Sequence, residues 1–315
     1  VRPGRPPPEG ESSRHVALPY DSDERFTALV LPGVREALDD GRRVLVVTCT
    51  AKLALLTEAL GRDAGRIDGR IAASWYTHPQ RTLAAYHEYA TEGRALIVGE
   101  PIWTGRGERE TRAWIRYESV LNVALRDTAA WLLCPYDRHR VPPEVLAHVE
   151  RTHPLVLGPH GEAASGAYVR PHELVLDGDH APLPDPGGRV ESLRFTAPEL
   201  KALRHAVGDY ARAAGMDRDL VASLVLGVSE IAANSVEHGA GHGTIRMWVN
   251  GRELVCEIAD TGGALDDPLP GYLPPEPEAS RGYGLWISRQ LCDHVELRAD
   301  RGTLRVRLHM RLSAG

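Results

Sequence analysis

Between Gly158 and Arg189 the chain reads GPHGEAASGAYVRPHELVLDGDHAPLPDPGGR, and no other segment limits its fold as strongly. Glycine, proline, histidine and aspartate dominate it, so it cannot bury enough apolar surface to build a core. It cuts the 315 residues into two pieces, each long enough for its own domain. The expected division is a disordered tail over 1–14, a first domain over 15–157, a linker over 158–191 and a second domain over 192–313. The stretch VRPHELVL inside the linker is expected to add one edge strand. His160, His172 and His180 are too widely spaced for ligand geometry and read as solvated loop residues.

Before the linker, short apolar runs alternate with helical patterns. Val44 to Thr48, Ala95 to Val98 and Ala130 to Cys134 are all-apolar or nearly so, as strands buried on both faces are. Helical periodicity fills Arg25 to Asp40, Ala51 to Leu60, Pro79 to Glu92, Glu108 to Leu125 and Pro142 to Thr152. Strands spaced by helices imply parallel crossovers, so the first domain is an α/β layered parallel-sheet domain. Ligands of such sheets lie at the strand ends. Glu100, Trp103, Tyr136 and Asp137 follow the second and third strands and are expected to line one crevice. No GxxxxGK[ST] phosphate loop is present.

After the linker the order changes to two helices, a hairpin, a long loop, a helix and a strand pair. That is an α+β sandwich, with helices on one face of a mixed sheet. Thr196 and Glu199 form a capping box that opens the first helix, which stops at Gly215. On the second helix, Val221, Leu224, Val225, Val228, Ile231, Ala232 and Ser235 fall in one arc, the core face. Glu230, Asn234 and His238 recur every four residues on an adjacent stripe that also holds Ser223 and Gly227. The stripe is polar at one end and open at the other, which suits a ligand lying along it. Asn250 and Gly251 mark a hairpin turn. The second hairpin strand ends in Asp260, Thr261, Gly262 and Gly263, an acceptor beside closely approachable backbone. Ala264 to Ser280 is a proline-rich loop of lid length. Gly282 and Gly284 open the next helix, where free N–H groups can hold phosphate oxygens.

The net charge of -6 gives no bulk attraction to nucleic acid or anionic lipid. No run of eighteen apolar residues suggests a membrane span, and the first residues carry no signal-peptide core, so a cytoplasmic location is expected. Cys49, Cys134, Cys256 and Cys292 lack CxxC spacing and read as buried free thiols. A metal held by His15 with Cys49 and Cys134 is disfavoured, because no two of these ligands are near in sequence.

The ordered set Glu230, Asn234, His238-Gly239, Asp260-x-Gly262, Gly282-x-Gly284 and Gly302-Thr303 resembles the Bergerat ATP-binding fold of the GHKL ATPases. Within it, SEIAANSVEHG and GYGLWISRQLCD are similar to the actinobacterial anti-sigma-factor serine kinases. The resemblance implies ATP and Mg²⁺ as cofactors. Asn234 would coordinate the Mg²⁺ and Glu230 would be general base. Asp260 would accept from the adenine amino group, with Gly262 leaving room for the base and Thr303 beside it. Gly282 and Gly284 would hold phosphates, and His238 would be structural or phosphate-adjacent. The implied partners are a sigma factor or a STAS-type anti-anti-sigma protein, with a homodimer as a further possibility. The family's glycine motif reads Asp-x-Gly-x-Gly, whereas Ala264 stands at its last position here, which bears on turnover more than on nucleotide binding. The alternative is a non-catalytic nucleotide-binding module. A histidine kinase would need a phosphoacceptor ahead of the ATP domain, and the helical His205 belongs to that domain itself.

The first domain resembles the MEDS sensory domain. The carrying pieces are His15-x-x-Leu18-x-Tyr20, VLVVT, ASWY, GEPIW, ESVLNVAL, LLCPYD and Thr152-His153-Pro154. An unnamed small-molecule signal is implied, with a pocket drawn from His15, Tyr20, Glu100, Trp103, Tyr136 and Asp137.

Overall fold

The computed structural model describes residues 13–158, 161–178, 183–262, 269–275, 282–300 and 302–312. The chain divides into two compact units, residues 1–174 and 175–315.

The first unit runs β1 (Arg14–Tyr20), α1 (Asp23–Asp39), β2 (Arg43–Thr48), α2 (Thr50–Leu60), β3 (Ile67–Ile71), α3 (Ala72–Trp75), α4 (Pro79–Thr91), β4 (Ala95–Gly99), α5 (Glu108–Ala124), β5 (Trp131–Asp137), α6 (Pro143–Thr152), β6 (Leu155–Gly158) and β7 (Gly161–Ala164). The strands form one sheet in the order β3-β2-β4-β5-β1-β6-β7. Every pairing is parallel except β6 with β7, which closes as a hairpin. The all-apolar runs of β2 and β4 sit inside the sheet and are buried on both faces, as their sequences require. Four strands lie outside the three that periodicity predicts. β1 begins inside the expected tail, β3 is short and largely exposed, and β6 and β7 straddle the start of the expected linker. The expected edge strand in VRPHELVL is instead a helix, α7 (Pro171–Gly178). Pro171 at its start suits a first helical turn, and Leu174 and Val175 are buried together one turn on.

The second unit runs β8 (Glu191–Thr196), α8 (Leu200–Ala213), α9 (Arg218–Glu237), β9 (His242–Asn250), β10 (Glu253–Thr261), α10 (Tyr283–Leu291), β11 (His294–Asp300) and β12 (Thr303–Arg311). Its sheet, ordered β11-β12-β10-β9-β8, is antiparallel throughout rather than mixed. β8, in a stretch without strand periodicity, forms an outer strand antiparallel to β9. The Thr196–Glu199 capping box forms, with the Thr196 N–H donating to the Glu199 carboxylate at 2.7 Å. Leu203 and Val207 of α8, with Leu224, Val228 and Ile231 of α9, pack on Ile245, Cys256 and Leu308 of the sheet. At twenty residues α9 has the length and apolarity of a membrane span, but its apolar stripe is committed to this core.

On the sheet, Glu296 of β11 accepts a hydrogen bond from His309 of β12 at 3.0 Å. Burial alone would raise the Glu296 pKa. The His309 bond and the charges of His294, His309 and Arg298 outweigh burial and bring it from 4.5 to about 2. A depressed folded-state pKa stabilises above the unfolded value and loses that contribution as pH falls. We expect the β11–β12 amides of the wild-type chain to exchange more slowly than those of Glu296→Gln at neutral pH. The gap should shrink between about pH 4.5 and pH 2; a difference independent of pH over that window would refute the assignment.

Candidate functional site

α10 reaches α9 through two glycines. A Cβ on Gly284, in the first turn of α10, would lie 3.1 Å from both the Asn234 Nδ2 and the Glu230 Oε2 of α9. A Cβ on Gly227 would lie 3.3 Å from the Cys292 Sγ. Ser288 sits at the crossing, its hydroxyl shared between the Gly227 carbonyl of α9 at 3.2 Å and the Gly284 carbonyl of its own helix at 2.8 Å. The stripe on α9 is therefore not open along its length. Its small-residue end at Gly227 is buried under α10, and only the end carrying Glu230, Asn234 and His238 remains to meet a ligand. Helical periodicity places residues on a stripe but does not reveal which neighbour crosses it. Glu230 is half-buried, Asn234 is exposed, and His238 is the exposed C-cap of α9.

Asp260 closes the site from the sheet. It lies at the end of β10, and a Cβ on Gly239 would fall 2.7 Å from its Oδ1. The carboxylate is 6% exposed, and its Oδ1 has no hydrogen-bond partner among the described residues. A buried acceptor left unsatisfied costs roughly 1–3 kcal/mol, so this oxygen is well placed to accept from a ligand's donor. Gly262 follows with φ 119°, a conformation that favours glycine, and donates its N–H to the Gly302 carbonyl at 3.1 Å. That bond brings the β10 end beside Thr303, which registers with Thr261. Gly282, with φ 97°, is the left-handed N-cap of α10. Seven expected residues thus frame the C-terminal end of α9: Glu230, Asn234 and Gly284 by one set of contacts, Asp260, Gly262 and Thr303 by another, with His238 between. A donor-poor carboxylate at the base and a glycine-bounded helix N-terminus at the rim are what a purine nucleotide with its phosphates requires. The residues present fit ATP, and Asn234 is where an amide oxygen could be offered to its Mg²⁺. Gly263, Ala264 and most of the expected lid loop lie outside the described residues.

In the first unit a cavity of about 280 Å³ opens at the C-terminal strand ends. Glu100, Trp103 and Asp137 line it, as expected, together with Cys49 and Lys52. Lys52 is buried, 2.7 Å from Glu100 and 3.8 Å from Asp137. Periodicity gave no hint of it, since a lone lysine on a helix ordinarily points to solvent. Tyr20 joins from behind, donating to Glu100 and accepting from Lys52. Thr48 also donates to Glu100. Gly99 admits a Tyr76–Tyr86 hydroxyl pair behind Glu100, since any Cβ there would lie 2.7 Å from both oxygens.

The remaining two expected pocket residues, His15 and Tyr136, do not line this cavity. They are buried around Glu118, the α5 residue that opens the ESVLNVAL stretch but is not among the expected pocket residues. Burial pushes the Glu118 carboxyl up to about 8, although Tyr136 and Cys134 approach it. Burial likewise lowers His15 to about 4 and His153 well below the ordinary imidazole value.

Residues 14–154 match the model of the MEthanogen/methylotroph, DcmR sensory domain, MEDS. Residues 193–310 match the model of the histidine kinase-like ATPase domain. No curated protein matches the chain. Among solved structures, the RsbU and RsbW domains of Rv1364c from Mycobacterium tuberculosis are 18% identical over 40% of this chain and 33% of that one, with a TM-score of 0.30. The nucleotide-free catalytic domain of histidine kinase ThkA is 13% identical over 39% of this chain and 96% of that one, with a TM-score of 0.27. The chain thus spans about a third of the length of the first of these structures.

Gly239 tests the packing of the site without any ligand. A Cβ there would meet the Ser235 carbonyl oxygen at 2.6 Å as well as Asp260. Gly239→Ala should therefore cost about 1–3 kcal/mol in denaturant unfolding of the second unit. Gly187→Ala, where a Cβ meets nothing within 4 Å, should cost much less. Equal effects would show that the close approach is not real.

Proposed function

We propose that this chain, a MEDS domain followed by a histidine kinase-like ATPase domain, is a signal-responsive regulator that binds Mg-ATP and phosphorylates a serine on a partner protein. The buried Asp260 Oδ1, which has no hydrogen-bond partner among the described residues, supports the nucleotide half of this reading. The adenine amino group supplies the missing donor, and Gly262 leaves space for the ring. Gly284 lets the phosphates approach Asn234 and Glu230, and Gly282 frees the backbone that holds them. Mg²⁺, bound through Asn234, supplies neutralisation of phosphate charge.

Glu230 sits one helical turn from Asn234, so its carboxylate can take the proton of a hydroxyl aimed at the γ-phosphate. The hydroxyl oxygen bonds to the γ-phosphorus, the bond from that phosphorus to the β–γ bridging oxygen breaks, and ADP departs. Phosphoryl transfer of this kind needs positioning and charge neutralisation more than covalent help. The partner in this reading is a STAS-type anti-anti-sigma protein, and the unphosphorylated complex is with a sigma factor. The setting is cytoplasmic, and a homodimer is part of the same proposal. The cavity lined by Lys52, Glu100 and Asp137 would take a small polar signal molecule. That molecule must bind one conformational state better than another to matter.

Ala264 favours a second reading, in which nucleotide is held but not turned over and regulation works by contact alone. One experiment decides between them. Purified chain is incubated with Mg-[γ-³²P]ATP and candidate STAS partners. The kinase reading expects label on the partner, reduced at least a hundredfold in Glu230→Ala while nucleotide binding persists. Bound nucleotide with no label on any partner would leave only the contact module.

A further inference from the structure

Four buried side chains from four separate elements converge in the first unit: His15 of β1, Glu118 of α5, Cys134 of β5 and His153 just beyond α6. One ligand atom from each lies within 4.8 Å of the other three. We propose that these residues form a closed four-ligand site for a divalent transition metal ion of the zinc class.

The hydrogen bonds around the cluster fix what each ligand offers. The Asn122 amide nitrogen donates to the Ser119 and Thr152 carbonyls at 2.9 and 2.8 Å. Its Oδ1 must therefore accept, and the contact to the His15 Nδ1 at 2.9 Å makes that nitrogen the N–H. The His153 Nδ1 lies 2.9 Å from the Val149 carbonyl, which can only accept, so that nitrogen is also protonated. Both imidazoles are thus held as the tautomer that turns a bare Nε2 lone pair inward. This is the outer hydrogen bonding by which metal-binding histidines are oriented.

Inside the cluster the lone pairs face one another. The His153 Nε2 and the Glu118 Oε2 are 3.6 Å apart, both buried, and neither has a hydrogen-bond partner among the described residues. A proton between them would draw the pair to about 2.7–3.2 Å. Tetrahedral zinc, at about 2.0–2.3 Å from nitrogen, oxygen and sulfur, holds neighbouring ligands roughly 3.3–3.8 Å apart. The observed separations fall near that range: 3.6 Å for His153 to Glu118, 3.9 Å for His15 to Glu118 and 3.3 Å for His15 to the Cys134 Sγ. One sulfur, two imidazoles and one carboxylate are a donor set suited to zinc or cobalt and ill-suited to magnesium or calcium. Four protein ligands leave no open position, the mark of a structural rather than a hydrolytic centre. Trp103 lines the cavity and stacks at 6.5 Å on Tyr136, which bonds to Glu118.

The test uses the full chain, produced with zinc in the medium and dialysed without chelator. Elemental analysis should find one zinc per chain. Stripped protein given Co²⁺ should develop the visible bands of tetrahedral cobalt and a thiolate-to-cobalt charge-transfer band. Cys134→Ser should abolish the charge-transfer band, and Cys49→Ser should leave it unchanged. Should Cys134→Ser fail to fold, the near-isosteric Glu118→Gln is read by the same spectrum and should weaken cobalt binding at least tenfold. The proposal is overturned if wild-type protein takes up neither metal, or if the cobalt spectrum survives unchanged in Cys134→Ser or Glu118→Gln, which would mark the uptake as adventitious binding by surface histidines.

Discussion

The second unit is organised by the close approach of α10 to α9, and that approach rests on the absence of a side chain at Gly284. With 3.1 Å between an imagined Cβ and both the Asn234 amide and the Glu230 carboxylate, the helix N-terminus sits against the two polar residues of α9. Gly227 extends the same contact down the helix, where the Ser288 hydroxyl of α10 reaches the Gly227 carbonyl of α9. Everything assigned to phosphate and metal handling follows from this one crossing. The backbone donors of α10 and the side chains of α9 are brought to one place. Asp260, held against Gly239 just beyond the C-terminus of α9, is the acceptor that the proposed function gives to the base.

The first unit solves a different problem. Its sheet interior carries ionic and polar groups that would be costly to bury singly. Lys52 is matched by Glu100 and Asp137, and Glu100 is further satisfied by Tyr20 and Thr48. Such an arrangement leaves a cavity with fixed charges on its wall, suited to recognise a polar guest by orientation as well as shape. Around Glu118, its Oε2 and the His153 Nε2 face each other at 3.6 Å, each without a hydrogen-bond partner among the described residues.

Much of this was readable in the sequence, for identifiable reasons. The buried runs of β2 and β4, the capping box at Thr196, the Asn250–Gly251 turn and the core arc of α9 are local signals, and each appears where its period or spacing puts it. Glu230, Asn234 and Asp260 stand out in the sequence because glycines at stereotyped distances accompany them, and the structure brings Gly284 against the first two and Gly239 against the third. What failed to show was set by tertiary contact. β8 is recognisable only by its pairing with β9, and β3 only by its place beside β2. Lys52 looks like any surface lysine until Glu100 is folded onto it. Glu118 and His153 lie 103 and 138 residues from His15 in the chain (118 − 15 and 153 − 15), so no ligand-spacing rule could join them. The stripe on α9 misled for the same reason, because α10 covers the end that periodicity left open.

The central claim is that Asp260 selects the nucleotide by accepting a hydrogen bond from its base. Adenine presents an amino donor at that position and guanine a carbonyl acceptor, which a buried carboxylate would repel. Isothermal titration of the full chain with Mg-ATP and with Mg-GTP tests this directly. The account predicts saturable one-to-one binding of ATP and none of GTP at the same concentrations. Equal heats for the two nucleotides, or no heat with ATP, would contradict it.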